Sequence, residues 1–302
     1  RNEMREKLAI APSELSYPPI RPEFENTMMP GQETADVARE LSAWERISNN
    51  GFFRKTVILI VLAAIWEAYA RYAANPLMMP TFLAAAEALW NATVHGPLLG
   101  RLWVTLEALL VGYGAGIALA AVFTILAMSS RIGRDLLSTL TAMFNPLPSI
   151  GLLPLALLWF GIGLKSLVFI MVHAVLWSVA LSTLSGFQSV PESLRMAGMN
   201  CGLRGIRYVV LILIPAAFAS ILAGLRIGWA FAWRALIAAE LVFGAASSSG
   251  GLGWYIFESR NQLNTADVFA GLTAVIVIGL VVESVIFRAI ERHTVVKWGM
   301  QR

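Results

Sequence analysis

The stretch WVTLEALLVGYGAGIALAAVFTILAM, Trp103 to Met128, carries a single charged residue, Glu107. Few fates are open to such a run. A hydrocarbon core about 30 Å thick needs about twenty apolar residues of helix to cross it. Helical geometry also satisfies every backbone N–H and C=O within the segment, which a lipid environment requires. Comparable runs recur at Val57–Ala73, at Leu164–Phe187 and at about Val268–Ile290. Charged residues make up only 14% of the chain and hydrophobic ones 57%. Soluble domains sit near a quarter charged. The expected class is an all-α membrane protein.

Two further spans are interrupted. About Leu136 to Phe160 contains Asn145-Pro146, Pro148, Gly151 and Pro154. Breakers at that density predict either a simple kink or a broken helix lining a cavity. The apolar stretch from about Val209 to Val242 exceeds one span and holds Pro215. It predicts a short lead-in helix, a break at the proline, and a span from about Ser220. The total is about six transmembrane helices. Residues 244–267 read as a Gly/Ser-rich polar connection, with Ser247–Gly253 as a flexible outer loop.

The N-terminal region differs. Residues 1–40 are polar and rich in proline, and are read as an extended cytoplasmic tail or a docking arm for a partner. Residues 41–55, LSAWERISNNGFFRK, mix aromatic and charged residues and suit a short interfacial helix. Residues 56–298 form the transmembrane domain. Six spans put both termini on one side. With the termini inside, the inner loops hold Arg46, Arg54, Lys55, Arg131, Arg134, Arg195, Arg204, Arg207, Arg288, Arg292 and Lys297. The outer loops hold mainly Arg101, Lys165 and Arg260. The positive-inside rule favours cytoplasmic termini. The net charge of +4 therefore reflects topology and does not point to nucleic acid.

Catalytic patterns are missing from the sequence. GxSxG, HExxH, CxxC and the P-loop GxxxxGK[ST] do not occur, Cys201 is the sole cysteine, and His95, His173 and His293 lie far apart. No metal site or cofactor is expected in this chain. Gly112, Gly114 and Gly116 lie inside an apolar run and suit close helix packing rather than nucleotide binding. His173 reads as a packed histidine, and Glu67 and Arg71, four residues apart, as a pair on one helix face. Arg226, Arg234 and Glu240 belong to GLRIGWAFAWRALIAAELVFG. Arginines eight residues apart can face one side, either lining an anion path or pairing with Glu107, Glu240 or Glu283.

Between the fourth and fifth spans lies SVPESLRMAGMNCGLRGIRY, Ser189 to Tyr208. Pro191, Glu192 and Ser193 precede a short amphipathic helix, Leu194 to Asn200, which Gly202 can close. This segment resembles the coupling loop of the permease subunits of ATP-binding-cassette importers. That loop has the form EAA, three residues, then Gly. The register set by Pro191 and Gly202 aligns Met196, Ala197 and Gly198 with EAA, so Met replaces the acid and Gly the last Ala. Pro215, Gly224-Leu225-Arg226, Ile227-Gly228, Arg234-Ala235, Glu240 and Gly251-Leu252-Gly253 are similar to the nitrate, taurine and sulfonate branch, as is NPLPSIGLLPLALLWFGIG. The resemblance covers about Leu77 to Trp298.

It implies a type I importer permease fold with a cytoplasmic coupling helix at about 190–205, in a bacterial inner membrane. It also implies a homodimer of permeases and two ATPase subunits carrying ATP and Mg. A periplasmic or lipid-anchored binding protein would deliver a small anion. Coupling then falls to Pro191, Glu192, Met196, Ala197, Gly198 and Gly202. An ion-gradient-driven secondary transporter is the competing expectation, and a membrane-embedded enzyme a weaker one.

Overall fold

The computed structural model describes residues 51–243 and 250–297. Two compact units divide at Leu59 and Ile60; the architecture below is that of the second. The expected tail and most of the interfacial segment, residues 1–50, lie outside the described residues. Gly51–Lys55 are the first residues of α1 (Gly51–Ala73).

All regular structure among the described residues is helical. After α1 come α2 (Phe82–Val94), α3 (Leu98–Ser129), α4 (Arg131–Phe144), α5 (Leu153–Phe160), α6 (Leu164–Gln188) and α7 (Glu192–Asn200). Then follow α8 (Phe218–Phe243), α9 (Leu252–Asn261) and α10 (Thr265–Val281). Helix α10 continues without interruption through π-helical turns, so Thr265–Val295 forms one span. Among the described residues five helices are long and apolar enough to cross a membrane, and a bent pair makes a sixth if counted as one span.

That bent pair settles the proline-rich stretch. Helix α4 and the segment Ser149–Phe160 meet at 88°. Asn145 caps α4, and Pro146 and Pro148 prevent its continuation because proline lacks an N–H and clashes with the preceding turn. The span is broken, not merely kinked. Pro215 acts similarly. A lead-in of short helical turns from Gly205 to Ala216 ends at Ala217, and α8 starts at Phe218.

Helix α6 is the most enclosed span, packed between α3 and α8. Glycines set the approach on both sides. A Cβ at Gly112 would lie 2.3 Å from Met171 Cε, and one at Gly116 would lie 2.7 Å from Val175 Cβ. On α8, a Cβ at Gly224 would lie 2.6 Å from Ser182 Cβ. Lipid supplies no hydrophobic drive between helices, so backbone proximity and dispersion contacts hold them together. Two of the three glycines in the 112–116 motif thus serve packing, while Gly114 meets nothing within 4 Å.

Two helices depart from the expectation. Helix α2 follows α1, and its start is built by α1 and its own cap. Thr81 Oγ1 accepts from Ala84 N at 3.2 Å, and Glu67 Oε2 accepts from Leu83 N at 3.2 Å. Glu67 also pairs with Arg71 at 2.8 Å, as its spacing predicts. Helix α9 replaces part of the supposed polar connection. Residues 244–249 lie outside the described residues, but Gly250 to Gly253 are buried. This end of the supposed flexible loop is packed in place by α3 and α8.

Candidate functional site

Helix α7 is delimited by its sequence at both ends. Pro191 is the N-cap residue with φ −56° and ψ 140°, and Glu192 sits in the first turn, where the helix dipole favours an acid. At the other end Gly202 has φ +78°. Gly202 N donates to Met199 O at 2.9 Å and Leu203 N to Gly198 O at 3.1 Å. This paired closure is the Schellman arrangement, and its left-handed residue favours glycine.

One face of α7 is buried and the other is free. A Cβ at Gly198 would lie 2.9 Å from Ile212 Cγ1 and 3.3 Å from Tyr208 Cε2. That contact accounts for Gly where alanine was expected. Leu194, Met196 and Met199 are 40%, 50% and 52% exposed, and Ala197 is exposed beside them. Arg195 ties α7 to the end of α6: Nη2 donates to Phe187 O at 2.6 Å and Nε to Val190 O at 3.2 Å. Glu192 Oε2 lies 4.0 Å from Arg195 Nε and points outward.

The three ionisable residues of α8 go to three different places. Eight residues at about 100° each end about 80° past two full turns, so Arg226 and Arg234 do not share a face. Arg226 turns to the α10 span: Nε lies 3.1 Å from Glu283 Oε1 and Nη2 3.0 Å from Glu291 Oε2, with Phe287 beneath the guanidinium. Arg234 is exposed and has no acid partner among the described residues. Its Nε donates to Ala230 O at 2.9 Å, and its guanidinium lies 4.9 Å from the centroid of Phe231. Glu240 is 1% exposed and pairs with neither arginine.

Glu240 instead anchors α9. Its Oε2 accepts from Gly253 N at 2.9 Å, and both carboxylate oxygens accept from Thr105 Oγ1 at 3.0 Å. Thr105 Oγ1 in turn accepts from Leu252 N at 2.7 Å. Two unsatisfied N–H groups at the start of α9 are thereby bonded. The fit needs glycine, since a Cβ on Gly251 would sit 2.2 Å from Glu240 Oε1. Arg101 adds a tie from α3 to Glu258 at 3.1 Å. Sequence reasoning missed this anchor, although a lone acid ahead of Gly-Leu-Gly was its available signal.

A second cluster lies at the broken span. His173 packs against Phe144 and Trp177, with Nδ1 3.4 Å from Ser149 Oγ. This is the packed environment expected of it. Thr141 Oγ1, His173 Nε2 and Trp177 Nε1 are buried without a hydrogen-bond partner among the described residues.

Residues 112–295 match the family described as the binding-protein-dependent transport system inner membrane component. The chain belongs to this family. The match covers α3 from Gly112 through the α10 span, and so takes in the broken span, α7, Glu240 and α9, while Thr105 lies ahead of it. The chain is 30% identical to MJ0413 of Methanocaldococcus jannaschii, named as an ABC transporter permease protein, over 79% of this chain and 90% of that one. It is also 30% identical to the taurine transport system permease protein TauC of Escherichia coli, over 78% and 86%. With the nitrate import permease protein NrtB of a Synechocystis strain it shares 28% identity over 61% and 65%. The protein is therefore a permease subunit of an ABC importer, with a type I permease fold. It belongs to a family of transport subunits rather than enzymes.

Proposed function

We propose that this chain is the permease of an ATP-driven importer for a small organic or inorganic anion of the taurine, sulfonate or nitrate kind. Two copies form the path, and the termini face the cytoplasm. Two ATPase subunits, which carry ATP and Mg, each receive one α7 helix. A binding protein delivers the anion to the outer face of a bacterial inner membrane.

The observation that carries the anion assignment is Arg234. An exposed guanidinium in a span, with no acid beside it among the described residues, is costly against lipid, but suits a water-filled path through which an anion passes. Arg226, by contrast, is occupied by Glu283 and Glu291 and serves as a clamp between spans. Coupling is supported by α7 itself. It is short, closed at both ends and tied to α6 by Arg195, so force on its exposed Met196 and Met199 side reaches the spans without being lost in a loop. Pro191 and Gly202 fix its ends, Gly198 seats it, and Glu192 supplies a negative charge near the exposed surface where Met196 has replaced the acid.

The test is anion uptake by the reconstituted importer carrying Arg234→Gln. Uptake is expected to fall at least tenfold while the protein stays assembled, with Arg234→Lys recovering part of it. Unchanged uptake in Arg234→Gln would remove Arg234 from the path.

A further inference from the structure

We propose that the groove where α3, α4, α6 and α7 meet binds the headgroup of an anionic phospholipid, and that this lipid ties the coupling helix to the membrane. The proposal rests on the orientation given above, which places these helix ends at the cytoplasmic leaflet. The groove holds about 130 Å³, well under the roughly 300–1,000 Å³ of a metabolite pocket. Met128, Leu184 and Phe187 form an apolar wall, and Arg134, Arg195 and Gln188 line the rest.

Two positive charges line it, and one of them is held in place. Arg195 spends two of its five donors on Phe187 O and Val190 O, which holds the guanidinium still and leaves its other N–H groups free to donate. Arg134 sits in the first turns of α4 and is exposed. Its side chain has no hydrogen bond or ion pair among the described residues. The acids nearby do not cancel this pair. Glu192 is 71% exposed and 4.0 Å from Arg195 Nε, and Asp135 does not line the groove.

The shape of the chemistry selects a lipid. A soluble anion would use the guanidiniums and gain nothing from Met128, Leu184 and Phe187. A phosphodiester uses both: the phosphate sits between the arginines, and the glycerol carbons beside it cover the little apolar surface left open there, Leu184 and Phe187 being 8% and 5% exposed, while the acyl chains run outside the groove into the bilayer. Helices α3 and α6 end at Ser129 and Gln188, so the groove lies at headgroup depth. There the anionic surface attracts basic side chains. A lipid held by Arg134 of α4 and Arg195 of α7 bridges the spans and the helix that receives the ATPase stroke.

The experiment uses the assembled importer, with its ATPase subunits, in nanodiscs of phosphatidylcholine with or without phosphatidylglycerol. Native mass spectrometry reads retained lipid, and binding-protein-stimulated ATP hydrolysis reads coupling. Wild type is expected to retain phosphatidylglycerol and to couple better in its presence. Arg134→Gln, at an exposed position that folding does not need, is expected to retain about fivefold less and to lose the lipid dependence. Arg134→Lys should restore most of both. Equal retention by Arg134→Gln overturns the proposal. So does full replacement of the lipid effect by inorganic phosphate, which marks a free-anion site. Retention by the permease alone but not by the assembled importer overturns it too, since an acidic surface of the ATPase then fills the groove. Lipid retention does not depend on transport, so an importer that keeps its phosphatidylglycerol but moves no anion sinks the functional reading and leaves this one standing.

Discussion

Glu240→Ala tests the least visible part of the architecture, the anchoring of α9 by a buried carboxylate. The substitution removes the acceptor for Gly253 N and for Thr105 Oγ1. Both donors stay buried. Each unsatisfied buried donor costs about 1–3 kcal/mol, so the two together cost about 2–6 kcal/mol. A loss of about 2.7 kcal/mol, near the low end of that sum, raises local opening about a hundredfold. Hydrogen exchange read by mass spectrometry on the complex in nanodiscs measures this directly. Peptides covering Leu252–Asn261 are expected to exchange about a hundredfold faster, while those of α6, the most enclosed span, stay at wild-type rates. Glu240→Gln keeps one oxygen to accept from Gly253 N, and should change exchange less than about fivefold. Exchange of α9 within threefold of wild type in Glu240→Ala would refute the anchor. The hydrogen bonds at 2.9 and 3.0 Å would then contribute nothing to holding α9 in place.

Gly116→Ala should destabilise the purified protein by about 1–3 kcal/mol, seen as a lower thermal midpoint, because its Cβ meets the stiff Val175 at 2.7 Å. Gly114→Ala, with open space around it, should leave that midpoint unchanged. Gly202→Asp places a side chain at φ +78°, at a cost of about 1–2 kcal/mol, and adds a charge at the end of α7. It should abolish uptake while membrane fractions retain normal amounts of protein, and normal uptake would remove the coupling role given to α7.

The spans were legible because apolar runs longer than about twenty residues have one stable outcome in lipid. The break after α4 was legible as breakers but not as an angle, since proline density leaves kink and rupture equally open. Helix α9 was not legible. Leu252–Asn261 mixes glycine, serine, glutamate and arginine with aromatics, and its burial depends on Glu240 and Thr105, which lie on other helices. Helix α2 was missed for a similar reason, its start being capped by Glu67 from α1. The ends of α7 could be read from Pro191 and Gly202. The reason for Gly198 could not, because Ile212 reaches it only after the chain folds back. Arg226 and Arg234 were grouped by spacing alone, and the 80° residue of two helical turns, about a quarter turn, separates a clamp from a cation with no acid partner among the described residues.

ATP-driven anion import is the central claim, and its most direct measurement is uptake into proteoliposomes. The full set comprises this permease, its ATPase subunits and its binding protein, supplied with labelled taurine, an alkanesulfonate or nitrate. Accumulation is predicted for one of these anions only when ATP and all three components are present, and it should be indifferent to a protonophore. Accumulation that persists without the ATPase and collapses with the protonophore would contradict the account and make the protein an ion-coupled carrier.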